Sequence, residues 1–160
     1  MKIFLKILGG LVFCLVVLLV VFRITGLEPH DRIPGLWLKG NLVTTPVGDW
    51  TWTDKVPTIK LQTESWYLLP HSVTIDCMTL NGHLYVSSGY PPQSPKAWYE
   101  NVARDPNVRI QIGNNLYDRT LTEVKDPAEA SAAMKAKYTK YPTLKTPSNF
   151  IIHVFRVNGM

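Results

Sequence analysis

The hydrophobic and polar positions of this chain fall into two regimes. Residues 7–22 carry no charge and are almost all Leu, Val, Ile or Phe. Extended back through Lys6 to Ile3, the run spans about 30 Å as a helix, the thickness of a bilayer's hydrocarbon core. Lys6 sits near one end, where its stem can snorkel to the headgroups, and Arg23 closes the other end. A cleaved signal peptide shares this layout, but the run is long for one. No Ala-x-Ala-like site follows it, and Ile24 stands where a small residue would be wanted. The pattern predicts an uncleaved transmembrane anchor over residues 1–25.

After a linker at residues 26–36, rich in Pro and Gly, the period shortens to two. Trp50-Thr51-Trp52-Thr53 alternates aromatic with hydroxyl residues and predicts a strand with both tryptophans on one face. Residues 58–63 alternate Ile59 and Leu61 against Lys60 and Gln62. Strands at 72–80 and 83–88 flank Asn81-Gly82, the strongest short hairpin signal. A second hairpin joins 108–112 to 116–124 through Gly113-Asn114-Asn115, and 150–157 is a last strand.

Two helices interrupt the strands. Ser94-Pro95 predicts a cap and first turn for a helix running to Arg104, with Trp98 and Val102 one turn apart. Asp126-Pro127-Ala128-Glu129 has a capping-box layout and opens a helix to about Tyr141. Ala130, Ala133, Met134, Tyr138 and Tyr141 make its apolar stripe. These elements predict an α+β chain: an N-terminal transmembrane helix, then a small antiparallel barrel with two short helices over residues 37–160.

Composition sharpens this in three places. The net charge of +5 belongs in good part to Lys2, Lys6 and Arg23, which are three of the 17 Lys and Arg residues. The remainder nearly balances 12 Asp and Glu, so the basicity points to a lipid bilayer and not to nucleic acid. Lys135, Lys137, Lys140 and Lys145 read as a solvated helix face or a contact with anionic headgroups. Cys14 in the anchor and Cys77 in the barrel cannot pair within one chain, and no His, Cys or carboxylate spacing suits a metal. A short N-terminus before the apolar run predicts a single-pass inner-membrane protein with its globular part on the periplasmic side.

Residues 90–113 contain Trp98-Tyr99-Glu100-Asn101-Val102 and then Asp105-Pro106-Asn107-Val108. This block resembles the deazaflavin-dependent nitroreductase and quinone reductase family, which has the split β-barrel flavin-binding fold of pyridoxamine phosphate oxidases. The resemblance runs over about residues 56–157. It implies a groove for FMN or a deazaflavin, often completed across a homodimer, and hydride transfer to a quinone or nitroaromatic. It departs from the family at the turn between the first two barrel strands. There the family has a Gly- and Arg-rich phosphate cradle, and this chain has Glu64-Ser65-Trp66-Tyr67-Leu68-Leu69-Pro70-His71.

The resemblance nominates Lys96 and Asn101 as phosphate and ring contacts, and Trp98 and Tyr99 as walls of the ring pocket, one of them serving as core. Lys60 is a strand lysine that could face a phosphate. Tyr138 and Tyr141 match tyrosines on the substrate side, and His71 is placed to move a proton near neutrality. No residue is singled out as catalytic. Two functions remain open. One is a membrane-anchored oxidoreductase passing a hydride to a lipophilic small molecule. The other is a barrel without cofactor, serving as an accessory or binding subunit of a membrane complex.

Overall fold

The computed structural model describes residues 1–159. Helix α1 spans Lys2–Thr25 and buries none of its residues, as an apolar helix without a protein partner must. It ends at Gly26, whose φ of 82° suits a residue without a side chain. The following segment is bonded to the barrel. Leu27 and Trp37 are joined by a backbone bond of 3.0 Å, and Gly35 exchanges two bonds with Ser72. Glu28 ion-pairs with Lys60 and accepts a bond from Gln111 at 2.9 Å.

The strands are β1 (Asn41–Leu42), β2 (Ile59–Glu64), β3 (Pro70–Ile75), β4 (Cys77–Leu80), β5 (His83–Tyr90), β6 (Asn107–Ile112), β7 (Asn115–Glu123) and β8 (Ile151–Asn158). They form one sheet in the order β3-β2-β6-β7-β8-β5-β4, antiparallel throughout, with β1 added parallel to β7. The expected strand at 72–80 is broken at Asp76. Its halves are the two edges of the sheet, so one residue joins the ends of the strand order and curls the sheet into a half-barrel. Asn81 and Gly82 turn the β4–β5 hairpin with φ of 53° and 80°, the pair of positive values that this two-residue turn requires.

Helix α2 (Ala97–Arg104) starts later than Ser94-Pro95 predicts. Ser94 instead closes a turn onto the Pro91 carbonyl at 2.9 Å, and Lys96 occupies the cap position. Helix α3 (Pro127–Lys140) is capped by Asp126, which accepts from the Ala128 N–H at 3.0 Å. Glu129 does not complete the capping box. It reaches across to Arg156 Nη2 at 2.5 Å and Tyr85 Oη at 2.9 Å, where a cation offers more than a backbone amide.

Trp50-Thr51-Trp52-Thr53 is also not a strand. Residues Thr51–Lys55 form a 3-10 turn, with Asp49 accepting from the Thr51 N–H at 2.9 Å and Trp50 bonded to the Gly82 carbonyl. Local capping thus overrides the alternation. Trp50 is buried against Tyr117, while Trp52 is half exposed.

The core has two parts. Leu61, Val86, Ile110, Leu121 and Phe155 fill the barrel with Trp98 and Val102 of α2. Met78, Tyr85 and Val154 on the other sheet face pack against Ala133 of α3. Successive residues of β5 therefore face α2 and α3 in turn, as a strand dictates.

Candidate functional site

The junction of these two faces makes a groove of about 280 Å³. The loop before α2 supplies Lys96 and the helix supplies Trp98. From α3 comes Lys137, from the segment after it Lys145 and Thr146, and from β5 Ser87 and Ser88. Three larger hollows are lined differently, one of about 330 Å³ having Val43, Pro46 and Arg119 in its wall. A cleft of about 610 Å³ beside the end of α1 is lined by charges of both signs, including Arg23, Glu64 and Asp105. Another, of about 630 Å³, lies between the 3-10 turn and α3 and is mainly apolar, with Leu80, Ala132 and Ala136.

Lys137 is the fixed cation of the groove. It is only 8% exposed, with Nζ at 3.2 Å from Asp76 Oδ2 and donating to Ser87 Oγ at 2.9 Å. The sequence pattern placed it on a solvated face, but it continues the Ala130–Ala133 stripe and points inward. Small alanines bring α3 close enough for its stem to reach the sheet. Lys140 also turns inward, onto the Thr53 carbonyl at 2.8 Å. Among the described residues, Lys96 and Lys145 form no ion pair. Ser88 Oγ is buried without a hydrogen-bond partner, an arrangement that costs stability unless something else completes it.

The sequence-nominated residues divide between this groove and other places. Lys96 and Trp98 line it, and Trp98 is core as well, 3% exposed and edge-on to Phe155. Tyr99 lies on the other side of α2, beside His153. Asn101 is buried, donating to Thr63 Oγ1 at 2.9 Å and accepting from Arg104 Nη2 at 3.2 Å, which ties α2 to β2. Lys60 is engaged by Glu28. Tyr138 is exposed on the groove's rim and donates to Thr146 Oγ1 at 3.1 Å.

Tyr141 lies beneath the sheet edge. Its hydroxyl bonds the Pro57 and Cys77 carbonyls at 2.8 and 3.0 Å, and burial pushes its phenol well up. His71, the second residue of β3, is half-buried, and that burial pushes its imidazole below the usual range.

Strand pairing also assembles a set of residues that no local pattern marks. His153 lies between Tyr90 Oη, at 3.1 Å from Nε2, and Glu123 Oε1, at 2.6 Å from Nδ1. The Tyr99 ring covers it at 4.4 Å. Burial and neighbouring Tyr99 push the Tyr90 phenol up to about 12. Bonds from Lys125 and His153 hold Glu123 below the usual carboxylate range. Contacts at both ring nitrogens hold the His153 ring in one orientation between a phenol and a carboxylate.

The half-barrel recurs as a fold in solved structures of low sequence identity. Residues 80–154 match the sequence model of the F420H(2)-dependent quinone reductase family. That span, just under half of the chain, holds Lys96, Trp98, Tyr99, Lys137 and His153.

Three solved structures illustrate the likeness of fold. A domain-swapped dimer is 24% identical over 64% of this chain and 81% of that one, with a TM-score of 0.53. An F420-H2-dependent reductase, FDR-A, is 23% identical over 64% and 95%, with a TM-score of 0.52. An F420 reductase is 16% identical over 72% and 96%, with a TM-score of 0.51. No curated protein matches the chain.

Proposed function

We propose that this protein is a membrane-tethered deazaflavin-dependent reductase that passes a hydride to a quinone, nitroaromatic or similar lipophilic acceptor. The observation carrying this reading is the cationic groove of Lys96, Lys137 and Lys145 beside Trp98, inside the span that matches the family. The donor set fits an anionic, phosphate-bearing ligand. Two unpaired ammonium groups and one fixed one face the groove, and the orphaned Ser88 hydroxyl has a bond to give.

In this reading Lys137, held by Asp76 and Ser87, sets the position of the phosphate, and Lys96 and Lys145 close on it from the loops. Trp98 walls the ring and excludes water. The bound deazaflavin would supply the hydride. Reducing a quinone also consumes a proton; His153, held between Tyr90 and Glu123 beside Tyr99, lies outside the groove's lining and is given no part in that step. Tyr138, on the rim, borders the acceptor's side. A homodimer would enclose the groove further.

Helix α1 in this reading spans the inner membrane once and leaves the barrel on the periplasmic face, beside the phase into which a quinone partitions. Protease protection in intact spheroplasts tests the sidedness: digestion of the barrel from outside is expected, and full protection would place it in the cytoplasm.

One observation favours the accessory-subunit reading. The β2–β3 turn has neither glycine nor arginine where the family cradles phosphate, and its place is taken by Trp66, Tyr67 and Leu68. Titration of the detergent-purified protein with the deazaflavin F420 and with FMN separates the two. Saturable binding of F420 in preference to FMN supports the reductase, and a protein that binds neither is an accessory barrel.

A further inference from the structure

The β2–β3 turn is built to hold three large side chains in solvent. Ser65 is buried at its base, where its N–H donates to the Leu69 carbonyl at 3.1 Å and its own carbonyl accepts from Leu68 at 3.0 Å. The chain between is forced outward. Trp66, Tyr67 and Leu68 are 76%, 53% and 80% exposed. Leu68 is held at a φ of 62°, a conformation that bulky residues rarely adopt. Trp66 and Tyr67 meet edge to face at 5.3 Å, so the tip is ordered by its own aromatic pair.

Its place in the fold matters. Glu64, at the base of the turn, lines the same cleft as Arg23 of the last turn of α1. Arg104 Nη2 donates to the Glu64 carbonyl at 2.6 Å and fixes the base to α2. Lys39 meets the Ile24 carbonyl at the helix end. The tip therefore adjoins the point where α1 joins the barrel, with Arg23 and Arg104 beside it. Trp and Tyr prefer the headgroup level of a bilayer, Leu enters just below it, and arginine pairs with phosphate.

We propose that Trp66, Tyr67 and Leu68 form a second membrane contact, seated in the headgroup region of the same bilayer that α1 spans, so that the barrel is held against the membrane at two points. The proposal rests on α1 being a membrane anchor. A lipid surface fits better than a second copy of the chain. Three side chains fall far short of the roughly 800 Å² that each partner gives to a stable interface, whereas membrane contact adds to a tether already present.

The test uses the full chain reconstituted in phosphatidylcholine vesicles containing phosphatidylglycerol. Trp66→Cys in a Cys14→Ser background carries an environment-sensitive fluorophore, and Ser131→Cys, exposed on α3, carries the same label as reference. Vesicle flotation reports the anchor independently. If the protein floats, the label at 66 should be quenched by lipids spin-labelled near the headgroup at least threefold more than the label at 131. Floating protein with equal quenching at both positions overturns the second contact and leaves the anchor standing. Protein that does not float removes both. Self-quenching of the label at 66 that grows with protein density, without lipid quenching, makes the tip a self-association surface and also overturns the proposal.

Discussion

Lys137 and Asp76 form an ion pair, 3.2 Å from Nζ to Oδ2, at the one residue that joins the two edges of the sheet. The pair does two things at once: it ties α3 to the seam of the half-barrel, and it aims a fixed positive charge into the groove. Lys137→Met should therefore lower both stability and affinity for an anionic ligand. Leaving Asp76 without its partner should cost about 1–3 kcal/mol, read as a lower Tm. Asp76→Asn combined with Lys137→Met should recover part of that Tm and none of the affinity.

Lys96→Ala separates binding from folding. Lys96 caps α2 without a side-chain bond and forms no ion pair, so thermal denaturation of the variant should match wild type. Losing one charge-assisted contact should weaken F420 binding about tenfold, which is about 1.4 kcal/mol. Fluorescence titration of both proteins at one ionic strength checks this.

Asn101→Ala should behave in the opposite way. Its amide is buried and bonded to Thr63 and Arg104, so removal leaves two groups short of a partner. A loss of about 1–3 kcal/mol is expected in denaturant unfolding, with the ligand affinity of the folded fraction unchanged. Loss of affinity at full stability would return Asn101 to the site.

His71 gives the chain a pH dependence of known sign. Burial lowers its folded pKa below the unfolded value of 6.5. In the window below 6.5 the unfolded chain binds more protons, so this contribution to stability is full above that pH and is lost as the pH falls toward the folded pKa. The Tm should drop between pH 7.5 and 5.5. His71→Gln, which does not titrate, should flatten that part of the profile.

What the sequence made legible was local. The apolar run of α1, the Asn81-Gly82 turn and the Asp126 cap each depend on residues within a few positions, and each is present. Trp98 and Val102 are core at the predicted helical spacing. The misreadings depend on distant partners. Nothing within residues 72–80 marks the break at Asp76, because it follows from pairing with β2 on one side and β5 on the other. A lysine in an alanine-rich helix reads as solvated, and Lys137 becomes buried only because Asp76 and Ser87 wait across the seam. Tyr90, Glu123 and His153 lie on three strands and meet only once the sheet is formed.

The most direct measurement is equilibrium titration of the detergent-purified full chain with F420, followed by fluorescence, with FMN as the competitor and Lys96→Ala as the control. Saturable binding, resistant to excess FMN and weakened about tenfold in the variant, is the predicted result. Binding that is absent, or equal in wild type and Lys96→Ala, would contradict the placement of a deazaflavin in this groove.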